Sequence, residues 1–115
     1  MNRTTWLNEQ AQLVRNALLA GRLNEARNAL RFLFEDGSDY EGMRPALVIR
    51  MALYPMSREE LGGVLRTLAR QAESVFTAGD DLDAEIRADL AIAARELRVF
   101  RDGGRYGEGC AVQAD

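Results

Sequence analysis

The sequence predicts an all-α protein: a compact bundle of about five helices and a flexible, glycine-rich C-terminal tail. Three observations lead to this prediction. Apolar residues recur at the i, i+3, i+4 and i+7 spacing of amphipathic helices in segment after segment. Glycines and prolines separate these segments at helix-sized intervals. No convincing strand is present, because no Val- and Ile-rich run has a partner elsewhere in the chain.

The first two predicted helices form an antiparallel hairpin. The segment "TTWLNEQAQLVRNALLAG" begins with Thr4 or Thr5 as N-cap and stops at Gly21. The next segment, "LNEARNALRFLFEDG", has Asn24 as a plausible N-cap and ends at Gly37. Because the link between them is very short, the two helices should lie side by side.

The next two predicted helices begin at residues suited to a first turn. In "MRPALVIRMALYPMS", Pro45 fits the first turn of a helix that is apolar nearly all round and therefore central. Its Val and Ile content also permits a strand, but Pro45 and Pro55 bracket a helix-sized stretch. In "SREELGGVLRTLARQAESVFTAG", Ser57 and Glu60 have capping-box spacing, and Gly79 closes the segment.

The clearest predicted helix is the last, "DDLDAEIRADLAIAARELRVFRDGG". Asp80 or Asp81 caps it, and its apolar stripe runs through to Phe100, which we expect in the core. Among the other aromatic residues, Phe32 lies off its stripe and is a candidate exposed anchor, as are Tyr40 and Tyr106. The chain therefore divides into a single helical domain, 1–102, and a tail, 103–115.

One local stretch resembles a known family. In "ALLAGRLNEARNALRFLF", Gly21 occupies an inter-helix turn, Ala26 a small packing position in the second helix, and Leu30 the large apolar position after it. Residues 7–34 thereby resemble a single tetratricopeptide helical hairpin, over about a quarter of the chain. No second copy appears at the expected period. The resemblance implies a protein-binding helical scaffold, such as a secretion chaperone or adaptor.

Missing residue types argue against catalysis. The chain has no histidine, the commonest general base and transition-metal ligand, and all 15 of its basic residues are arginines. Without lysine, Schiff-base chemistry is impossible. The single cysteine, Cys110, forms neither an internal disulfide nor a Cys-based zinc site. We therefore expect no enzyme activity, no cofactor and no metal.

The same composition points to a cytoplasmic protein. A lone cysteine fits a reducing compartment, and the N-terminus lacks the apolar core of a signal peptide. No apolar run is long enough to span a membrane. The formal net charge of −3 disfavours broad binding to nucleic acid, which needs a positive surface.

Two clusters of acidic residues are the candidate functional features. The first lies in "FEDGSDYEGM", which lacks the turn glycine and the bidentate Glu of a calcium loop. The second opens the last helix, where acids also satisfy free backbone N–H groups and the helix dipole. If both face the same way, they form an acidic patch for a partner protein with a basic surface. The candidate partner-binding residues are Glu35, Asp36, Asp39, Tyr40, Glu41, Asp80, Asp81, Asp83 and Glu85.

The arginines offer an alternative. Arg66 and Arg70 share a helix face and could contact phosphates, but the acids interleaved with them favour ordinary ion pairs, with Glu73 the expected partner of both. The leading hypothesis is therefore a non-catalytic protein-binding module, a small bacterial, phage or mobile-element inhibitor of the anti-CRISPR or anti-defence type. The alternatives are a tetratricopeptide-like chaperone or adaptor, and a dimeric nucleic-acid-binding regulator. A homodimer is compatible with all three.

Overall fold

A computed structural model describes residues 3–35 and 45–101 of the chain. Within these residues there are five α-helices and no strand, so the all-α prediction is confirmed. The predicted tail, 103–115, lies outside the described residues. The helices are α1 Arg3–Leu19, α2 Leu23–Glu35, α3 Pro45–Leu53, α4 Arg58–Val75 and α5 Asp81–Arg101.

A Schellman turn joins α1 to α2. The Arg22 N–H donates to Ala17 O at 2.8 Å, and the Gly21 N–H donates to Leu18 O at 3.0 Å. This motif requires a left-handed residue, and Gly21 has φ +75°. The turn is tied to α4, because Gln71 Nε2 donates to Gly21 O at 3.0 Å. The predicted stop at Gly21 and the predicted hairpin are both confirmed.

The predicted N-caps of these two helices are wrong. Helix α1 begins at Arg3, so Thr4 and Thr5 lie inside it. Helix α2 begins at Leu23, which places Asn24 within its first turn. The reason is that the Schellman turn leads straight into α2, and the first helical hydrogen bond runs from Ala26 N to the Arg22 carbonyl at 3.3 Å.

Helix α3 is a short, mostly buried helix, as predicted, and not a strand. It contacts both α1 and α5. Four of its apolar side chains are fully buried, whereas Leu47 is half exposed. The fully buried side chains are Val48, Ile49, Ala52 and Leu53. Such burial stabilises the fold by about 1.5–3 kcal/mol for each large side chain.

Two arginines from other helices bind the end of α3 and the turn after it. Arg15 of α1 donates from Nε to Ala52 O at 2.8 Å and from Nη2 to Met51 O at 3.1 Å. The last carbonyls of a helix lack intrahelical donors, so Arg15 satisfies two of them with a favourable charge. Arg101 of α5 donates from Nε to Met56 O at 3.2 Å and also bonds to the carbonyl of Tyr54, both just beyond the helix.

Helices α4 and α5 pack against each other and begin at well-formed caps. The Ser57 capping box is confirmed: Glu60 N–H donates to Ser57 Oγ at 3.1 Å, and Ser57 N–H donates to Glu60 Oε1 at 2.9 Å. Helix α4 ends before Gly79, which lies in a turn closed by Asp80 N–H and Thr77 O at 3.2 Å. With φ +86°, Gly79 takes the third position of a type II turn.

The core is a single cluster of apolar residues drawn from all five helices. Phe76 is buried in it, and Trp6 and Phe34 pack against it while remaining partly exposed. Phe100 was predicted to belong to this core, and that prediction is wrong, because its side chain is 46% exposed. In the same last turn of α5, Arg101 binds the segment that follows α3.

Candidate functional site

The first predicted acidic cluster is only partly described. Glu35 ends α2, and its carboxylate accepts a hydrogen bond from Arg31, one turn earlier. The remaining residues of that cluster, Asp36, Asp39, Tyr40 and Glu41, lie outside the described residues. Glu35 is therefore paired with an arginine of its own helix.

The second predicted cluster divides into buried and exposed members. Asp80 is the N-cap of α5, because its Oδ1 accepts the N–H of Asp83 at 3.0 Å. Asp83, at the third position of the helix, is fully buried. Asp81 points to solvent, and Glu85 is intermediate. Asp80 and Asp83 are therefore structural residues, because one caps α5 and the other is buried in its first turn.

Arg27 and Arg31 of α2 neutralise Asp80 and the buried Asp83. Arg27 forms a bidentate pair with Asp83, from Nε to Oδ1 at 3.1 Å and from Nη2 to Oδ2 at 3.0 Å. Arg31 Nη1 donates to Asp80 Oδ1 at 2.7 Å and to Asp83 Oδ1 at 2.8 Å. The Thr77 N–H completes the shell at 2.7 Å from Asp83 Oδ2. We call Arg27, Arg31, Asp80 and Asp83 the ionic cluster.

The pKa values of the ionic cluster follow from these contacts. Burial acts to raise the pKa of Asp83, but the hydrogen bonds from Arg27, the Thr77 N–H and Arg31 outweigh it and hold that pKa well below its ordinary value. The backbone N–H of Asp83 and then Arg31 lower the pKa of Asp80. The carboxylates, Asp80 foremost, raise the pKa of Arg31. Both aspartates therefore remain ionised and paired at neutral pH.

Arg31 links Glu35, the one described residue of the first predicted acidic cluster, to the second cluster. Its guanidinium bonds to Glu35 on one side and to Asp80 and Asp83 on the other. Arg27 and Arg31 were not identified from the sequence as the partners of these acids. Arg27 and Arg31 lie one turn apart on α2, beside its apolar stripe, and that spacing was the available signal.

A second surface feature is aromatic. Tyr54, just after α3, is 62% exposed, and Phe100 in the last turn of α5 is 46% exposed. The Arg101 guanidinium carbon lies 5.2 Å from the centroid of the Tyr54 ring and 5.6 Å from that of Phe100. We call these three residues the aromatic–arginine patch. Phe32 on α2 is 56% exposed, so its predicted exposure is confirmed.

A third feature is a set of arginines on α4 and α5, of which Arg95 and Arg98 line a groove between the two helices. The predicted pairing of Glu73 with Arg66 and Arg70 is wrong, because Glu73 instead bonds to Arg87 of α5 at 2.9 Å. Among the described residues, Arg66, Arg70, Arg95 and Arg98 form no ion pair and no hydrogen bond. These four side chains are positive charges that the described part of the chain leaves unneutralised.

Two further properties bear on the site. Within residues 3–35 and 45–101, no group of three or more cysteine, aspartate or glutamate residues is arranged to hold a metal ion. In the same described ranges, no helix has both the length and the apolar character to cross a membrane.

Comparisons of this chain with protein-family models, with curated proteins and with solved structures found no match. Its function must therefore be inferred from the surfaces that its own residues form.

Proposed function

We propose that this chain is a non-catalytic protein that acts by binding another protein through the aromatic–arginine patch. The observation that carries the proposal is the fixed, exposed arrangement of Tyr54, Phe100 and Arg101. Aromatic residues and arginine are the types most enriched at the energetic centres of protein interfaces. The phage-encoded inhibitor and the adaptor that the sequence suggests are both protein-binding proteins, so both agree with this proposal. Identifying the partner would distinguish between them.

The patch is held in place before any partner arrives. Arg101 is anchored to the carbonyls of Tyr54 and Met56, and its guanidinium lies against both aromatic rings. Side chains that are already ordered lose less conformational entropy on binding, typically saving about 0.5–1.5 kcal/mol for each flexible side chain. The arrangement therefore suits an interface anchor.

The charge of the patch defines the chemistry of the partner. Among the described residues, Arg101 bonds only to backbone carbonyls and pairs with no carboxylate, so its positive charge is unneutralised. The complementary surface is an apolar pocket with a carboxylate at its rim. A symmetric dimer built on this patch would bring two Arg101 charges together, which favours a different protein as the partner.

The pKa values of the carboxylates support a non-catalytic role. Among the described residues, Asp80 and Asp83 have pKa values that are both shifted downward. A general acid at neutral pH needs a raised pKa. These aspartates instead form a structural ion-pair network with Arg27 and Arg31.

The test is affinity with an identified partner. The full chain captures its partner from the native host, mass spectrometry identifies that partner, and calorimetry with the purified proteins gives the Kd. We expect Tyr54→Ala and Phe100→Ala each to weaken binding at least about tenfold, which corresponds to about 1.4 kcal/mol. The matched control is Leu13→Ala on α1, which removes an apolar side chain of similar exposure, 56%.

A second pair of variants addresses the acidic patch. Glu35→Gln and Asp81→Asn neutralise the two more exposed described members of the predicted acidic clusters. If these changes abolish binding while the aromatic changes do not, the partner docks on the acidic surface and the aromatic–arginine patch is not the interface. Equal effects of Leu13→Ala and Tyr54→Ala would also contradict the proposal.

A further inference from the structure

The unneutralised arginines of the α4–α5 groove converge above Gly62. A Cβ placed on Gly62 would lie 3.5 Å from Arg66 Nη1 and 3.7 Å from Arg98 Nε. Two guanidinium groups from different helices thus approach the same point. Because like charges at such short range repel each other, this arrangement favours an anion between them.

Arg98 supplies a second, independent observation. Its Nε is buried and has no hydrogen-bond acceptor, the only such side-chain atom found in the described part of the chain. Buried N–H groups in folded proteins are almost always paired, and a charged donor left without an acceptor is especially unfavourable. The Arg98 Nε–H is therefore a donor whose acceptor comes from outside the described residues.

Two acidic residues of α4 and α5 that could have paired with these arginines bond to other arginines instead. Glu73 bonds to Arg87, and Glu96 bonds to Arg50 of α3 at 2.6 Å. The groove at this end has a volume of about 370 Å³, enough for a small anion. Its lining residues are Arg58, Leu65, Arg95, Arg98 and Val99.

We propose that this end of the groove binds the phosphate group of a small molecule, held by Arg98 and Arg95, which line the groove, with Arg66 beside Arg98 above Gly62. A phosphate offers several oxygens to donors that arrive from two helices, and the planar guanidinium group matches its geometry. This site lies on a different surface from the aromatic–arginine patch and does not depend on the protein-binding proposal.

The surroundings favour a small phosphorylated compound over a nucleic-acid strand. Next to the arginines the groove becomes apolar, and further along it Arg87 is already paired with Glu73. A nucleic-acid backbone needs a row of free positive charges, whereas one phosphate with an apolar body needs a single charged end. The apolar part of the groove is lined by Leu65, Leu68, Ala69, Ala72 and Ala91.

The test is a nuclear magnetic resonance titration of the full chain with inorganic phosphate and with phenyl phosphate, at constant ionic strength. We expect the Arg98 Nε–H resonance to shift and saturate, with phenyl phosphate binding more tightly than inorganic phosphate. Arg98→Gln and Arg66→Gln should each weaken binding about tenfold or more while circular dichroism stays unchanged. The charge-matched control, Arg22→Gln, should bind as the original chain does, since Arg22 lies in the α1–α2 turn.

Four outcomes would overturn the proposal. The first is that chloride shifts the same resonances as phosphate does, which would indicate screening alone. The second is that Arg22→Gln weakens binding as much as Arg98→Gln. The third is that a 12-nucleotide DNA strand binds more tightly than phenyl phosphate and loses affinity in Arg98→Gln, which would assign the groove to nucleic acid. The fourth is that the shifts with phosphate do not saturate, which would mean that the groove contains no defined site.

Discussion

Arg27 and Asp83 are 56 residues apart in the chain, yet they form a bidentate ion pair in which the carboxylate is fully buried. The pair fixes the start of α5 against the middle of α2. A buried charge is tolerated only when its partners replace the water that it has lost, and here two arginines and a backbone N–H do so. The pair is therefore a point at which a single substitution should have a large effect.

We expect Asp83→Asn to lower the free energy of unfolding by about 3 kcal/mol, because it removes the carboxylate that Arg27 and Arg31 share. The measurement is urea denaturation followed by circular dichroism. The matched control is Asp81→Asn, which neutralises an exposed acid in the same turn and should cost no more than about 1 kcal/mol. Equal losses in the two variants would mean that the burial of Asp83 has no energetic consequence.

The stability of the chain should fall in acid. The folded-state pKa of Asp83 lies below the value of about 3.9 expected in the unfolded chain, so its contribution is complete above about pH 5. That contribution is lost as the pH falls below about 4 toward the folded-state pKa. Urea denaturation between pH 7 and pH 2.5 measures the effect. The free energy of unfolding of Asp83→Asn should fall less steeply with decreasing pH than that of the original chain. Equal slopes would assign the loss of stability in acid to other carboxylates.

Two glycines should respond to alanine in opposite directions. Gly21 has φ +75° with open space around it, so Gly21→Ala costs about 1–2 kcal/mol through backbone strain alone. Gly63 lies inside α4 with ordinary helical geometry, and a Cβ there would meet only Arg66 Nη2, at 3.7 Å. Gly63→Ala should therefore stabilise the protein by about 0.5–1 kcal/mol. Thermal or urea unfolding checks both, and a stabilising Gly21→Ala would contradict the left-handed turn.

The cap that Arg15 provides for α3 can be tested without removing its aliphatic stem. Arg15→Met retains much of the packing but deletes the donors to Ala52 O and Met51 O, so we expect a loss of about 1–3 kcal/mol in the free energy of unfolding. Arg22→Met is the comparison, because it breaks only an exposed pair with Glu25 that is worth about 0–1 kcal/mol. Similar losses in both variants would show that the α3 carbonyls do not need Arg15.

Local signals predicted most of the fold, although the N-caps of α1 and α2 were wrong, and contacts between distant segments account for the errors in ion pairing. The Ser57 capping box and the Gly21 stop depend on residues a few positions apart, which a sequence displays directly. The position of Phe100 fits the apolar stripe of α5, yet its side chain is 46% exposed. Periodicity identifies the face of a helix but not the point at which the neighbouring helix stops covering it.

The candidate sites were harder to predict than the helices. The acids of the second cluster were found, but their partners Arg27 and Arg31 lie about 50 residues away, and nothing local indicates that pairing. Likewise, Glu73 was assigned to arginines on its own helix, whereas it bonds to Arg87 across the groove. The choice among several possible ion pairs is made by tertiary packing, which the spacing of charges along one helix does not determine.

Helix α3 has only nine residues, too few to persist on its own in water. Its last carbonyls receive donors from Arg15 of α1, and Arg101 of α5 binds the carbonyls of Tyr54 and Met56 just after it, so the end of α3 is held from near opposite ends of the described chain. The helix can therefore become protected only once both of those helices have docked. Amide hydrogen exchange in α3 should then require opening of the whole bundle, and folding should proceed as one cooperative step without a stable intermediate confined to either half.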